Sequence, residues 1–443
     1  MTNSPAELPA APDMQDRAWR WTPIWVLAFV AAWPAPGIAE GLLSLGSLAM
    51  VAALAWRCLH GRRSGLGVPA LALTWVLFLA YWLPQLLSAP DAVDGARAWA
   101  KAAAGLRYLP FLWLAALAVA GPARRRLTFA GLGWIVAIWT LDALVQAATG
   151  TSVLFWALDR LKWGLSGHGI CSAAEIAAAD RLSGFLGPCN PKLGQVLSSL
   201  SPFLLWPLLR RYGVLAWLAA AALLGVVIAL AGSRASWITY ALVLLVTGWR
   251  ALGWRRLAVL GLAAVLALAA LTAVSPQLQQ RFARTALAFG GGEAGVDAAL
   301  SGRAQIWGAA GCMIEHHPLN GVGARGFREA FPACDPLHGH GAAWGEGPAL
   351  HAHQLVLEVL AETGVVGLLL WLAGAAMAWR AWRHAAAAAR ERARPAMLAL
   401  AVTVFPLNTH LAFYSSFWGG VLVLLAGLYA GALLGEPGTA PRS

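Results

Sequence analysis

Charged side chains are scarce in this sequence. Asp, Glu, Lys and Arg make up 12% of the chain, whereas 59% of its residues are hydrophobic and the mean hydropathy is +0.64. This balance excludes a soluble globular protein and indicates a protein embedded in a membrane. The first apolar stretch also lacks a small-residue cleavage signature, so we expect it to be retained as a transmembrane span.

Acidic residues and metal-ligand patterns are scarce as well. The chain has 20 Asp and Glu residues, and the only pair near a turn predicted to face away from the cytoplasm is Asp91 and Asp94. Two carboxylates do not make a convincing site for a divalent cation. The five cysteines show no spacing typical of zinc ligands. We therefore expect neither a metal ion nor another cofactor.

Long apolar stretches are abundant. About twelve of them reach roughly 20 residues, the length that crosses about 30 Å of hydrocarbon. Arginine clusters fall on alternate short connections, and the positive-inside rule places these connections and both termini in the cytoplasm. The clusters are Arg17 and Arg20; Arg57, Arg62 and Arg63; Arg124, Arg125 and Arg126; Arg210 and Arg211; Arg250, Arg255 and Arg256; and Arg380, Arg383, Arg390, Arg392 and Arg394.

The sequence thus predicts an all-α integral membrane protein with about twelve transmembrane helices. The segment between spans nine and ten is about 80 residues long and contains no apolar span. A connection of this length usually has a structure or function of its own, so we expect a part-helical periplasmic lid that carries the functional chemistry. The expected divisions are a cytoplasmic tail at 1–20, helices one to nine at 21–274 with a periplasmic loop at 150–192, the large periplasmic loop at 275–353, helices ten to twelve at 354–435, and a cytoplasmic tail at 436–443.

Four of the five cysteines lie in the two long periplasmic segments. Cys171 and Cys189 share the first segment, Cys312 and Cys334 share the second, and Cys58 lies at the predicted cytoplasmic end of a span. An oxidising compartment favours one disulfide within each segment. The alternative is four free or buried thiols, because cysteine is often simply a small buried apolar residue.

Arg234 interrupts an apolar run that extends from about residue 213 to residue 249. The run is long enough for two spans, so Gly232, Ser233 and Arg234 are expected to form a tight hairpin on the periplasmic side. A guanidinium group suits the bidentate binding of a phosphate. The alternative is an arginine that snorkels from a helix end towards the headgroups.

Further cations lie in the two periplasmic segments. Arg181 and Lys192 flank a turn rich in Gly, Asn and Pro in the first. In the second, Arg303 falls in the first turn of a predicted helix and Arg325 in a Gly-rich loop. Arg303, Arg325 and Arg328 in one segment indicate an anion-binding surface. The alternative for Arg181 and Lys192 is ordinary charge that faces lipid headgroups.

His351 and His353 lie at the N-terminal edge of the tenth predicted span, whose first turn contains Gln354. A helix N-terminus disfavours an imidazolium ion, so a histidine there stays neutral, as a general base must be. The alternative for His353 is a helix-capping residue with no role in catalysis.

Glu358 and Glu362 are one helical turn apart on the same face of this span. Carboxylates at membrane depth usually face the protein interior and pair with a cation. We expect their partners to be Arg234 and Arg303.

Four motifs together resemble the O-antigen ligase and polymerase superfamily of bacterial inner membranes. They are "GSRAS" at 232–236, "SGRAQIW" at 301–307, "LNGVGARGF" at 319–327 and the pattern HxHQxxLExLAETGxxG at 351–367. The resemblance covers most of residues 180–380 in the expected order. Gln354 stands where asparagine is commonest in the family, which is a departure from its pattern.

The resemblance implies a GT-C-like fold with a large periplasmic loop, and metal-independent transfer of a glycan from undecaprenyl diphosphate. It also implies that Arg234 and Arg303 bind the diphosphate and that His353, with His351 beside it, is the general base. The expected activity is that of an O-antigen ligase at the periplasmic face of the inner membrane, with lipid A–core as acceptor. Membrane lipid is the other expected partner, and no nucleic acid is expected.

Three alternatives use the same residues. An O-antigen polymerase and a protein O-oligosaccharyltransferase share the donor chemistry and differ in the acceptor. A transporter of lipid-linked sugars belongs to a different class, and in it the arginines together with Glu358 and Glu362 would line a path across the membrane. Against the transporter, the notable groups collect on one side of the membrane instead of at its midplane.

Overall fold

A computed structural model describes the chain from Ala18 to Gly435, with gaps. The residues within this range that it does not describe are 63, 178–180, 276–278, 281, 284, 285, 287–291, 293–298, 301, 336–346, 407 and 409–411. Throughout the described ranges the regular structure is helical and contains no strand. This agrees with the all-α prediction.

The helices are numbered here in chain order. They are α1 (Trp21–Ala31), α2 (Pro36–Leu59), α3 (Val68–Leu87), α4 (Gly95–Gly105), α5 (Tyr108–Ala120), α6 (Pro122–Thr149), α7 (Val153–Ser166), α8 (Ala173–Ala177), a 3₁₀ turn (Gly184–Leu186), α9 (Leu193–Leu200), α10 (Pro202–Leu230), α11 (Arg234–Val274), α12 (Arg303–His316), α13 (Phe327–Cys334), α14 (Leu355–His384), α15 (Ala387–Thr403) and α16 (Ser416–Leu434).

Eight helices of the described chain are long and apolar enough to cross a membrane, which makes this a multi-pass membrane protein. The expectation of about twelve spans is therefore supported only in part. Three of the long helices are broken at glycines with a left-handed φ, namely Gly213 in α10 at +82°, Gly253 in α11 at +71° and Gly364 in α14 at +65°. The breaks in α10 and α11 lie beside arginine clusters, where the sequence predicts that one span ends and the next begins.

The core of the bundle forms around α16, which is buried along almost its whole length and packs closely against α5. Glycines make this approach possible. A Cβ atom on Gly431 would lie 2.2 Å from the carbonyl oxygen of Ala116, and one on Gly427 would lie 2.6 Å from that of Leu112. Small residues serve in this way wherever membrane helices pack with their backbones close together.

The described part of the 275–353 segment contains α12 and α13, which pack against each other and against the start of α14. A second apolar cluster holds them together, in which Ile306, Met313, Phe327 and Phe331 are almost fully buried. Residues 336–346 of the segment, which include His338 and His340, lie outside the described residues. The helical character that the sequence predicts is present in the described part.

Candidate active site

The Gly-rich loop inserts into a break in α14. The helix is interrupted at Gly364, whose φ is +65°. The interruption frees the N–H groups of Val365 and Val366, which donate to the carbonyl oxygens of Pro318 and Leu319 at 2.9 and 3.2 Å. A Cβ atom on Gly364 would lie 2.0 Å from the Leu319 oxygen, so no other residue fits here without displacing the loop.

The loop needs a glycine of its own at the same contact. A Cβ atom on Gly321, whose φ is +69°, would lie 2.4 Å from the backbone carbon of Glu362. Beside it, the N–H of Val322 donates to the carbonyl oxygen of Ala361 at 2.8 Å. Two backbones therefore meet directly, which gives a physical reason for glycine in both the "LNGVGARGF" and the "AETG" motifs.

The other side of the loop rests on the turn before α4. Val93 donates its N–H to the carbonyl of Val322 at 3.0 Å, and the Asn320 side chain donates to Asp91 at 2.8 Å. Asp94 caps α4 by accepting the N–H of Arg97 at 3.0 Å. Asp91 and Asp94 thus hold the loop and the start of α4 in place.

Glu358 and Glu362 are completely buried within the bundle. Glu362 accepts the backbone N–H of Arg325 at 2.6 Å, and the N–H of Tyr414 lies 3.5 Å from Glu358. Arg325 has a left-handed φ of +67°, a strained conformation for a non-glycine residue. Its Nη1 atom is buried and has no hydrogen-bond partner among the described residues. Glu362 therefore fixes the backbone of the loop at the point where Arg325 projects from it.

The prediction that Arg234 and Arg303 pair with the two glutamates is wrong. The docking of the loop at the helix break brings Arg325 to Glu362 instead. Arg234 donates to the carbonyl oxygen of Ala299. Arg303 belongs to a separate cluster of positive charges, described next.

Two arginines of this cluster begin helices. α10 ends at Leu230, and after a three-residue turn Arg234 is the first residue of α11, as the hairpin prediction requires. Arg303 is the first residue of α12, directly after Gly302 at a φ of +77°. Burial lowers the pKa of Arg303, and the positive charges of Arg234 and Arg181 lower it further. Three guanidinium groups thus share one region, an arrangement that favours an anion between them.

Lys192 lies at the start of α9, and its Nζ atom is 4.8 Å from the centre of the Phe417 ring. Burial lowers its pKa. The structure thus gives Lys192 an aromatic contact with Phe417.

His353 adjoins the arginine cluster. Burial lowers the pKa of His353 to about 4, and the charge of Arg303 contributes to the shift. Its φ of +51° is in the left-handed region, and its Nδ1 atom is buried without a hydrogen-bond partner among the described residues. The His351 ring lies beside it, with 3.8 Å between ring centroids. A strained, neutral, half-buried imidazole next to a cation cluster has the properties of a functional group.

The capping role that was the alternative for His353 belongs to Gln354. The Gln354 side-chain oxygen accepts the N–H of Leu357 at 2.5 Å, and its side-chain nitrogen donates to the carbonyl of Pro406 at 3.0 Å. α14 therefore begins at Leu355, one residue later than the sequence suggests. His353 stands just outside the helix with its ring available for other interactions.

The comparison with known families agrees with this geometry. Residues 219–372 match the O-antigen ligase family model. The matched region runs from within α10 to within α14, so it includes Arg234, Arg303, Arg325, His353 and Glu362. It confirms the resemblance over these residues. No curated protein sequence matches the chain.

The sequence analysis missed two residues that lie near the motifs in the matched region. Trp307, one turn after Arg303, donates its indole N–H to the carbonyl of Ala352 at 3.1 Å and so ties α12 to the histidine segment. Lys101 on α4 lies close enough to interact electrostatically with Arg325 and Glu362. Trp307 is part of the "SGRAQIW" motif, so the sequence contained a signal that could have identified it. No sequence pattern marks Lys101, because only the docking of α4 brings it near Arg325 and Glu362.

Both within-segment disulfides are present. Cys171 bonds to Cys189 with a Cα–Cα distance of 5.5 Å, and Cys312 bonds to Cys334 at 5.7 Å. The second bond joins α12 to α13 within the region that the family model matches. Sulfur and nitrogen atoms of Cys312, His316 and Cys334 lie within 4.8 Å of one another. The disulfide removes both thiolates, so this group has no metal-binding sulfur while the bond is intact.

Proposed function

We propose that the protein transfers a glycan from undecaprenyl diphosphate to lipid A–core at the periplasmic face of the bacterial inner membrane. The family match supports lipid-linked glycan transfer of the ligase or polymerase type by a multi-pass helical membrane protein. The observation that carries the finer proposal is the electrostatic interaction of the His353 imidazole with Arg303, which in turn interacts with Arg234 and Arg181. A base beside an anion site is what this reaction requires.

In the proposed reaction, His353 takes the proton from an acceptor sugar hydroxyl. The hydroxyl oxygen forms a bond to the anomeric carbon of the donor glycan, and the bond from that carbon to the diphosphate breaks with its electron pair going to the diphosphate. Arg303 and Arg234 stabilise the charge that grows on the departing diphosphate. Arg181 extends this surface at the edge of the site, and His351 holds the His353 ring in place.

The low pKa of His353 fits an ordered reaction. A histidine with a pKa of about 4 is neutral at neutral pH, but it is a weak base. A bound diphosphate would bring negative charge beside Arg303 and offset one of the two causes of the low pKa. His353 then becomes a stronger base only when the donor is present.

The buried acid pair has a positioning role in this proposal. Glu362 holds the strained backbone of Arg325, and Lys101 lies near both. Arg325 would bind an anionic group of a substrate with the Nη1 atom that has no partner in the described chain. Glu358 supports the same region from one turn earlier in α14. Lys192, near the start of α16, is proposed as a more distant substrate contact.

One experiment tests the proposal. Purified protein receives a polyprenyl-diphosphate glycan with lipid A–core, a second lipid-linked repeat unit or a Ser/Thr-containing protein, each in turn. We expect transfer to lipid A–core, and transfer to one of the other acceptors alone would assign a polymerase or a protein O-oligosaccharyltransferase. EDTA is expected to leave the rate unchanged, and a loss that Mg²⁺ or Mn²⁺ restores would contradict the metal-free mechanism.

A further inference from the structure

A cavity of about 590 Å³, with both polar and apolar groups in its walls, opens where α6 meets α7 and the loop at residues 181–188. We propose that this cavity binds the first sugar of the donor glycan, the one attached to the diphosphate. The inference rests on the proposed function, because it requires a diphosphate at the neighbouring arginines. The volume lies within the range of about 300–1,000 Å³ that is usual for small-molecule sites.

The walls of the cavity combine the two features that a sugar ring requires. Trp156 offers an exposed indole ring on which the apolar C–H face of a sugar can lie. Gln146, Asp159 and Ser183 supply amide, carboxylate and hydroxyl groups that can exchange hydrogen bonds with sugar hydroxyls. A lipid tail would need an apolar lining, and a free anion would need more than the single cation, Arg181, in this wall.

Hydrogen bonds hold one wall of the cavity in place. Gln146 accepts the N–H of Gly184 at 2.6 Å, which fixes its amide against the loop. Asp142 accepts the Ser152 hydroxyl at 2.6 Å, which fixes the entry into α7. A site that is rigid before the ligand arrives loses less entropy on binding.

Close packing and a disulfide fix the other wall. A Cβ atom on Gly187 would lie 2.1 Å from the Phe155 ring, so only a glycine lets the loop close over α7. Asp159 accepts the N–H of Ile170 at 2.6 Å, and the neighbouring Cys171 is bonded to Cys189, which follows the lining residue Pro188.

The cavity adjoins the arginine cluster. Arg181 is part of its lining, and Leu230, another lining residue, ends α10 four positions before Arg234. The N–H of Leu182 lies 3.5 Å from the carbonyl oxygen of Leu230, so the loop and the hairpin are in direct contact. Arg181 also interacts electrostatically with Arg303. A diphosphate held by the arginines would therefore place its attached sugar at the mouth of the cavity.

The test compares two tryptophans of α7. Trp156 lines the cavity and Trp163 does not, yet their side chains are similarly exposed, at 53% and 58%. Binding to purified protein is measured for a bare polyprenyl diphosphate and for the same lipid carrying glucose, galactose, N-acetylglucosamine or N-acetylgalactosamine. In the wild type we expect at least one sugar to increase affinity over the bare lipid. Trp156→Ala should weaken binding of that lipid about tenfold, as loss of an aromatic stacking contact predicts.

Trp156→Ala should leave binding of the bare lipid unchanged, Trp156→Phe should retain most of the sugar-dependent gain, and Trp163→Ala should behave as the wild type. The cavity assignment is overturned if no sugar in the panel increases affinity, if Trp156→Ala keeps the gain, or if Trp163→Ala loses it equally. Failure of the proposed function looks different: the bare lipid diphosphate would then fail to bind, or Arg303→Ala would bind it as tightly as the wild type.

Discussion

The charge of Arg303 should be visible in the pH dependence of the reaction. The pKa of His353 is lowered from its ordinary value of 6.5 to about 4, which corresponds to roughly 3 kcal/mol in favour of the neutral imidazole. Activity requires the neutral ring, so it falls as the pH drops through this pKa. The value of kcat/KM for the donor reports the free enzyme, so it should fall only near pH 4.

Two further consequences follow from the causes of the shift. Burial is the larger cause and the charge of Arg303 is the smaller one. In Arg303→Gln the acid limb of kcat/KM should therefore move upward from about pH 4 without reaching 6.5. In the wild type the acid limb of kcat should lie above that of kcat/KM, because kcat reports the complex in which diphosphate offsets Arg303.

The assay is the rate of glycan transfer measured from pH 3.5 to pH 8, supported by an NMR titration of labelled histidine in the protein. His353→Ala identifies which resonance belongs to His353, because that resonance is absent from the spectrum of the variant. Protein kept at each pH and then returned to pH 7 must recover its rate, which separates titration from acid unfolding. A wild-type acid limb at pH 6.5 or above, or a limb that Arg303→Gln does not move, would refute the reasoning.

Three other changes test the structure around the site. Gly364→Ala should lower the free energy of unfolding by more than about 2 kcal/mol in a thermal unfolding assay, because the new Cβ atom clashes with the loop at 2.0 Å and the left-handed φ disfavours alanine. Gly311→Ala, in open space on α12, is the control and should be neutral or stabilising. Glu362→Ala removes the acceptor of the Arg325 N–H, so it should lower the free energy of unfolding by about 1.5–3 kcal/mol and abolish most of the transfer rate. A variant with wild-type stability and rate would show that this contact does not matter. Loss of the Cys312–Cys334 bond, which joins residues 22 positions apart, should destabilise the protein by about 3 kcal/mol. Cys312→Ser removes this bond and Cys58→Ser removes a free thiol, so equal thermal unfolding midpoints for the two variants would contradict the prediction.

The elements that sequence could predict depend on local patterns. The helices follow from long apolar runs, and the start of α12 at Arg303 follows from the preceding Gly302. The hairpin before Arg234 follows from the length of the apolar run around it and from Gly232. In each case the deciding information lies within a few residues of the position.

The contacts that sequence did not predict join segments that are far apart in the chain. Glu362 meets Arg325 only because the Gly-rich loop enters the break at Gly364, and the break is invisible in an apolar stretch that otherwise reads as one span. Lys101 approaches the same pair through the docking of α4, more than 200 residues earlier in the chain. The predicted pairing of the two glutamates with Arg234 and Arg303 is wrong for this reason. Several cations in the sequence could pair with Glu358 and Glu362, and the sequence gives no distances by which to choose between them.

The measurement that tests the central claim most directly pairs two assays on the variant His353→Ala: the affinity for a polyprenyl-diphosphate glycan and the rate of glycan transfer. Wild type and His351→Ala are measured alongside. The account predicts that His353→Ala loses transfer by at least about 100-fold, the usual contribution of a general base, while the donor affinity stays close to that of the wild type. A variant that still transfers glycan at the wild-type rate, or one that loses donor binding in proportion to its rate, would contradict the assignment of His353 as the base.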